Sequence, residues 1–252
     1  EIIVSGLANR AFIENATTGF EEYRACVMQW TLERGEAVTG IPASAIRELA
    51  HMYARADRAI LCWTLGITEH HNAVDNVLAL INLALLTGHV GRYGSGLNPL
   101  RGQNNVQGGG DMGAIPNKLP GFQDIEHDAS ARANFEAAWG VPIIPKYGKN
   151  LTQMFESMEH GDLRALYVIG ENPASSEADM NRAEHLLSSR DMLIVQDIFM
   201  TKTAELAHVV FPASVAAFET DGTVTNSERR VQRVRKALDP PGNARDDIWI
   251  IT

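Results

Sequence analysis

Residues 164–196 read RALYVIGENPASSEADMNRAEHLLSSRDMLIVQ, and this stretch decides the fold. Arg164–Ile169 is a short apolar run closed by Gly170, and Met192–Gln196 is a second one. Between them Glu177–Ser188 has the spacing of a helix. Two strands joined by a crossover helix must run parallel. A third run, His208–Phe211, stops at Pro212. Upstream, Ala59–Trp63 has strand character, Gly66 ends it, and Asn72–Leu86 is a helix so apolar all round that it is expected to be buried. Strand, turn and buried helix make half of a doubly wound unit. The fold class is therefore α/β, with two Rossmann-like parallel-sheet units.

The remaining pattern places further elements. Thr18 followed by Glu21 predicts a capping box opening a helix through Phe20, Tyr23, Val27 and Trp30, with Gly35 as its stop. A second helix opens near Pro42 and aligns Ile46, Leu49, Ala50 and Tyr53. Gly88–Pro120 reads as one long loop, and Gly148–Met158 as a helix. From Phe218 onward polar residues alternate with Val, which predicts extended strands leaving the second unit.

Composition excludes several classes of function. The chain has 252 residues, 45% of them apolar and 21% charged, with a net charge of −9. These are globular proportions, and the acidic balance argues against a broad nucleic-acid surface. The run Arg229, Arg230, Arg233, Arg235 and Lys236 reads as a basic strand face; without interleaved aromatic residues it does not suit nucleic acid. Two cysteines, Cys26 and Cys62, cannot build a disulfide, zinc or iron–sulfur framework, and Cys62 is expected in the core. Ala79–Leu86, interrupted by Asn82, is far shorter than the ~20 residues of a membrane span. The chain begins Glu-Ile-Ile and reads as a piece of a longer protein.

In open parallel sheets ligands sit outside the carboxyl ends of the strands. Gly66, Thr68 and Glu69 follow the first strand. Gly170, Asn172, Ser175 and Ser176 follow the second, and Gln196 and Asp197 the third. Gly170 lets a ligand approach the backbone; the serines can donate to phosphate. Asn172, Gln196 and Asp197 offer the donors and acceptors a purine edge needs. Adjacent His70 and His71 lack a third partner for a metal, so no metal ligand is assigned. No G-x-G-x-x-G follows the first strand, which argues against ordinary NAD binding. The most specific stretch is Asn98–Gly113, NPLRGQNNVQGGGDMG. Its Arg101 is a fork of donors among amides, suited to a small carboxylate or phosphate.

Arg101–Gly108 with Asp111-Met112-Gly113 resembles the molybdopterin oxidoreductase family. More narrowly, it resembles the catalytic alpha subunit of molybdenum- or tungsten-dependent formate dehydrogenases. The likeness extends through Gly19–Tyr23, Trp63–Glu69, Leu86–Gly88, Gly170–Pro173, Val195–Ala204 and Asn226–Gln232. Glu69–Asn76 is most similar to the cytoplasmic, NAD-linked type. The resemblance implies a fold like domains 1–3 of formate dehydrogenase and DMSO reductase, around two molybdopterin guanine dinucleotides that chelate one metal. It implies that residues 1–103 are the end of one Rossmann-like domain, that 104–215 are much of a second, and that 216–252 return to the first domain. It implies that Arg101 orients formate, that Gln103 lies along the pterin, and that Glu69, Asn172, Ser176, Gln196 and Asp197 contact a guanine dinucleotide. The family often carries Gln at the position of Glu69 and Asp at that of Asn172. Its iron–sulfur cysteines and metal-ligating residue would lie upstream of Glu1. The 252-residue fragment alone is therefore expected to be inactive and free of molybdenum. Electron-transfer subunits that carry iron–sulfur centres and reduce NAD are the implied partners. Two alternatives share the fold: a nitrate reductase-like enzyme, and a metal-free structural electron-transfer subunit, against which an intact, buried Arg101 would argue.

Overall fold

A computed structural model describes residues 1–252. The chain divides into two compact units, Glu1–Gly102 and Gln103–Thr252.

The first unit begins with four helices: α1 (Arg10–Ala16), α2 (Phe20–Val27), α3 (Leu32–Thr39) and α4 (Ala43–Arg55). Strand β1 (Ile60–Trp63), a short helix α5 (Leu65–Thr68), helix α6 (Ala73–Thr87) and strand β2 (Gly96–Pro99) follow. β1 and β2 pair in parallel, with Trp63 opposite Pro99. The expected capping box at Thr18 does not form. Gly19 takes the N-cap position at φ +73 with no side-chain bond, a left-handed turn that glycine enters without strain. Gly35 is no stop either, because it lies inside α3. A Cβ there would come within 3.2 Å of Ile46 Cδ1, so the glycine lets α3 and α4 approach closely.

Ile2, Ile13 and Leu86 form the core of this unit, with Phe20, Ala50, Ala54 and Leu83 packed around them. Helix α6 is only partly buried, contrary to expectation. Ala84, Leu86 and Thr87 are enclosed, while Val74 and Leu78 are 73% and 48% exposed. The enclosed end, with Leu83 and Leu86, packs on Ile2, Ile13, Phe20, Ala50 and Ala54, while nothing in this unit covers Val74 and Leu78 at the other end. Cys62 is also exposed, not core. A two-stranded sheet leaves alternate residues of β1 uncovered, and the Cys62 thiol meets only the Asn98 amide at 4.0 Å.

The second unit opens with α7 (Val106–Asp111), the short hairpin β3 (Lys118–Leu119) and β4 (Gln123–Asp124), then α8 (Ala129–Trp139) and α9 (Leu151–Glu159). The expected loop Gly88–Pro120 therefore contains β2, α7 and β3. Its Gly- and Asn-rich sequence carries no periodicity of its own; pairing with β1 makes β2, and tertiary contacts make α7. The parallel sheet consists of β5 (Ala165–Ile169), β6 (Met192–Asp197) and β7 (Val209–Pro212) in that order. Between its strands lie α10 (Pro173–Ser176), α11 (Met180–Ser188) and α12 (Lys202–Glu205). An antiparallel hairpin, β8 (Gly222–Thr225) and β9 (Val231–Val234), and a final helix α13 (Asp247–Ile251) complete the unit. The segment 216–252 thus belongs to this second unit. It is held there by a parallel bridge from Arg245 to Ala213.

Strand alternation sorts the sheet into two faces. Val168, Leu193 and Val195 point to one side and pack on Ala174, Leu187 and Ala204. A second cluster joins Phe155 and Met158 of α9 to Ala183 and Leu186 of α11. The Arg182 guanidinium grips the Glu159 carboxylate across those helices with two bonds, of 2.7 and 2.9 Å. On the other face Ile169 and Phe211 remain 45% and 38% exposed. No helix is long and apolar enough to cross a membrane.

Candidate functional site

In each unit the polar residues singled out from the sequence gather at the carboxyl edge of a parallel sheet. In the first unit β1 and β2 end side by side, and the Leu100 N–H closes the ladder by donating to the Trp63 carbonyl at 2.7 Å. From this common edge the chain after β1 enters α5, with Gly66 and Thr68 exposed and Glu69 following at its C-cap. His70 Nε2 donates to the Gly66 carbonyl at 2.9 Å, which turns this histidine to local structure. The chain after β2 carries Arg101 two residues beyond Pro99. Arg101 is exposed and makes neither an ion pair nor a hydrogen bond. The expectation of a buried guanidinium is corrected, whereas a fork of free donors at the strand tips is what the structure places there. Glu69 shares this edge without neutralising Arg101.

The amide-rich stretch divides at Asn105. Gln103 and Asn104 are exposed and unpaired. Asn105 instead completes the ladder of β8: its Oδ1 accepts from the Thr225 N–H at 3.0 Å, and its Nδ2 donates to the Thr223 carbonyl at 3.4 Å. Gln107 is tied to Asp111 at 2.9 Å. A Cβ on Gly113, which sits at φ +83, would lie 2.9 Å from the backbone of Leu119 and Pro120. Asn105, Gln107 and Gly113 therefore build structure, and the tip of the stretch is free for a ligand.

In the second unit Gly170, at φ +62, ends β5 and donates to the Gln196 carbonyl at 2.8 Å. No atom lies within 4 Å of where its Cβ would be, so the strand end is open. Asn172 accepts at Oδ1 from both the hydroxyl and the N–H of Thr203, at 2.8 and 3.2 Å. Thr203 is fully buried, and its hydroxyl also accepts from the Ala174 N–H at 3.1 Å. This clasp joins the loops after β5 and β6. Ser176 donates to the Glu171 carboxylate at 3.1 Å. A phosphate, expected at the serines, would meet that carboxylate, so Ser176 is a strut in this structure. Gln196 is also spent. Fully buried, it accepts from the Tyr167 hydroxyl and donates to Asp247 at 2.6 Å, which pins α13 to the sheet. Asp197 accepts from the Phe199 N–H at 3.0 Å with one oxygen.

The sequence pattern assigns Glu171 and Thr203 no role, and no motif or periodicity marks the clasp, because the burial of Thr203 is set by tertiary packing.

The sequence profile of the molybdopterin oxidoreductase family matches residues 13–252. The chain belongs to the molybdopterin oxidoreductase family. It is 45% identical to the F420-dependent formate dehydrogenase subunit alpha of Methanocaldococcus jannaschii over 99% of this chain and 36% of that protein. It is 41% identical to formate dehydrogenase H of Escherichia coli over its whole length and 35% of the relative. A putative formate dehydrogenase of Bacillus subtilis is 43% identical, matched over 25% of its length. The chain thus spans about a third or less of these relatives. Among solved structures, acetylene hydratase from Pelobacter acetylenicus superposes with a TM-score of 0.71 at 20% identity, over 99% of this chain and 37% of that one. That likeness supports the α/β fold.

Proposed function

We propose that the chain is a central portion of the catalytic subunit of a molybdenum- or tungsten-dependent formate dehydrogenase. The observation that carries this reading is Arg101: an unneutralised guanidinium beyond paired strand tips, in a chain 41–47% identical to proteins named formate dehydrogenases. A formate carboxylate matches the planar fork of donors bidentately. The donor set and the open glycines at the strand ends fit a pterin dinucleotide. Gly66, Thr68 and Glu69 would hold one dinucleotide at the sheet edge of the first unit; in the second unit Gln103, Gly170, Asn172 and Asp197 would hold one, with Ser176 and Gln196 as braces. When bound, the bis-molybdopterin guanine dinucleotide metal centre accepts the electron pair.

Arg101 holds formate by its oxygens and leaves its C–H bond facing away from the guanidinium. Formate then becomes carbon dioxide by losing that C–H proton and two electrons. Holding the anion in one orientation lowers the entropic cost of the reaction. Iron–sulfur centres and NAD-reducing partner subunits of a cytoplasmic complex would supply the route for the electrons.

Full-length protein should reduce an artificial dye in the presence of formate and should release an oxidised, fluorescent pterin on denaturation. Pterin-loaded protein that reduces the dye with nitrite or another donor, but not with formate, would overturn the substrate assignment.

A further inference from the structure

Asn105 is the N-cap residue of α7, yet its side chain makes no bond to that helix. An N-cap amide ordinarily accepts from a backbone N–H in the first turn. Here it is turned to β8 instead. The β8–β9 hairpin is a two-stranded sheet, so one edge of β8 has no partner strand. Along that edge Asn105 Oδ1 accepts from the Thr225 N–H at 3.0 Å, and Nδ2 donates to the Thr223 carbonyl at 3.4 Å. The side-chain amide thus does what a peptide group of a neighbouring strand would do. Helix α7 makes room for it. A Cβ on the buried Gly108 would lie 2.1 Å from Asn105 Oδ1, so a glycine there keeps the amide on β8.

We infer that Asn105 is a positioning residue for Arg101, acting by fixing to β8 the segment that carries the guanidinium, with Gly108 as the space it needs. Arg101 stands four residues upstream in the chain, and between them the side chains of Gln103 and Asn104 have no partner. The Asn105 amide is therefore the first side chain after Arg101 that ties this segment to a regular element. A guanidinium on a segment with one end fixed samples fewer orientations, and a larger share of them meets both oxygens of an anion at once. This inference rests on the proposed reading of Arg101 as the group that holds formate, and adds the residue that steadies it.

The test is steady-state formate oxidation by the full-length enzyme, expressed per bound pterin, for Asn105→Ala, Gly108→Ala and the double variant. Asn105→Ala removes both bonds to β8. Gly108→Ala drives a methyl group into the amide, which must swing off the strand. Each single variant should lower kcat/KM for formate roughly tenfold, the worth of one to two neutral hydrogen bonds. Most of that loss should lie in KM, because Arg101 grips formate before the reaction as well as during it. The double variant should be no worse than Asn105→Ala, since the added methyl group has no amide left to displace. Losses that multiply in the double variant, or an unchanged kcat/KM per pterin in Asn105→Ala, would overturn the inference while leaving the formate reading intact. A parent enzyme that does not oxidise formate would overturn both. If Asn105→Ala yields no folded protein, Gly108→Ala decides, because alanine suits a helix better than glycine: full kcat/KM per pterin there refutes the coupling, and a tenfold loss supports it.

Discussion

At the scale of single residues, the difference between a ligand-binding group and a strut lies in what already satisfies it. The side chains of Arg101, Gln103 and Asn104 have no partner, while those of Asn105, Gln107 and Gln196 are each tied to another part of the chain. Sequence alone cannot make that distinction, because an amide reads the same whether its partner is a strand or a ligand. The glycines show the same limit. Gly113 was visible only as part of a run, yet its φ of +83 and the backbone 2.9 Å from its missing Cβ make it obligatory. Gly113→Ala should cost about 1–3 kcal/mol, from left-handed strain plus a clash with main chain that cannot move aside. Urea denaturation of the variant checks this; an unchanged midpoint would show that the turn between α7 and β3 can relax.

At the scale of elements, strands that depend on their own apolar runs were legible, and elements made by tertiary contact were not. β5, β6 and β7 follow the sequence pattern to within a residue or two. The hairpin β3–β4 escaped notice because two-residue strands have no period. What fixes it is Asp124, which accepts from the N–H groups of His127 and Glu126 at 2.8 and 3.0 Å. It also receives the Lys118 ammonium at 3.0 Å and the Tyr147 hydroxyl at 2.8 Å. The His127 N–H foremost, then Lys118 and Tyr147, hold this carboxyl well below the ordinary carboxylate range, and the same hydroxyl bond raises Tyr147. A carboxyl lowered by folding stabilises the protein above its unfolded pKa of about 3.9, and that stability is lost as pH falls further. Asp124→Asn should therefore lower the melting temperature at pH 7, and the gap from the parent should narrow below about pH 4. A gap that stays constant down to pH 2 would show that Asp124 acts through shape and not through charge.

At the scale of the whole molecule, the class of the fold was plain from the strand–helix–strand pattern, while burial was not. The sequence suggested an enclosed α6 and an enclosed Cys62, and both are exposed. Apolar periodicity reports that a face is to be covered, not which part of a protein covers it, and this chain spans about a third or less of the curated relatives it matches. Family membership, by contrast, was legible from the motif around Arg101 together with the stretch Val195–Ala204, because two such specific strings of residues seldom occur together. The most direct test of the account is steady-state formate oxidation by full-length enzyme carrying Arg101→Ala and Arg101→Lys, with pterin content measured in the same samples. At equal pterin content, kcat/KM for formate should fall about a hundredfold or more in Arg101→Ala, and Arg101→Lys should recover only part of it, since an ammonium cannot hold both oxygens. Unchanged kcat/KM in a fully loaded Arg101→Ala enzyme would contradict the account.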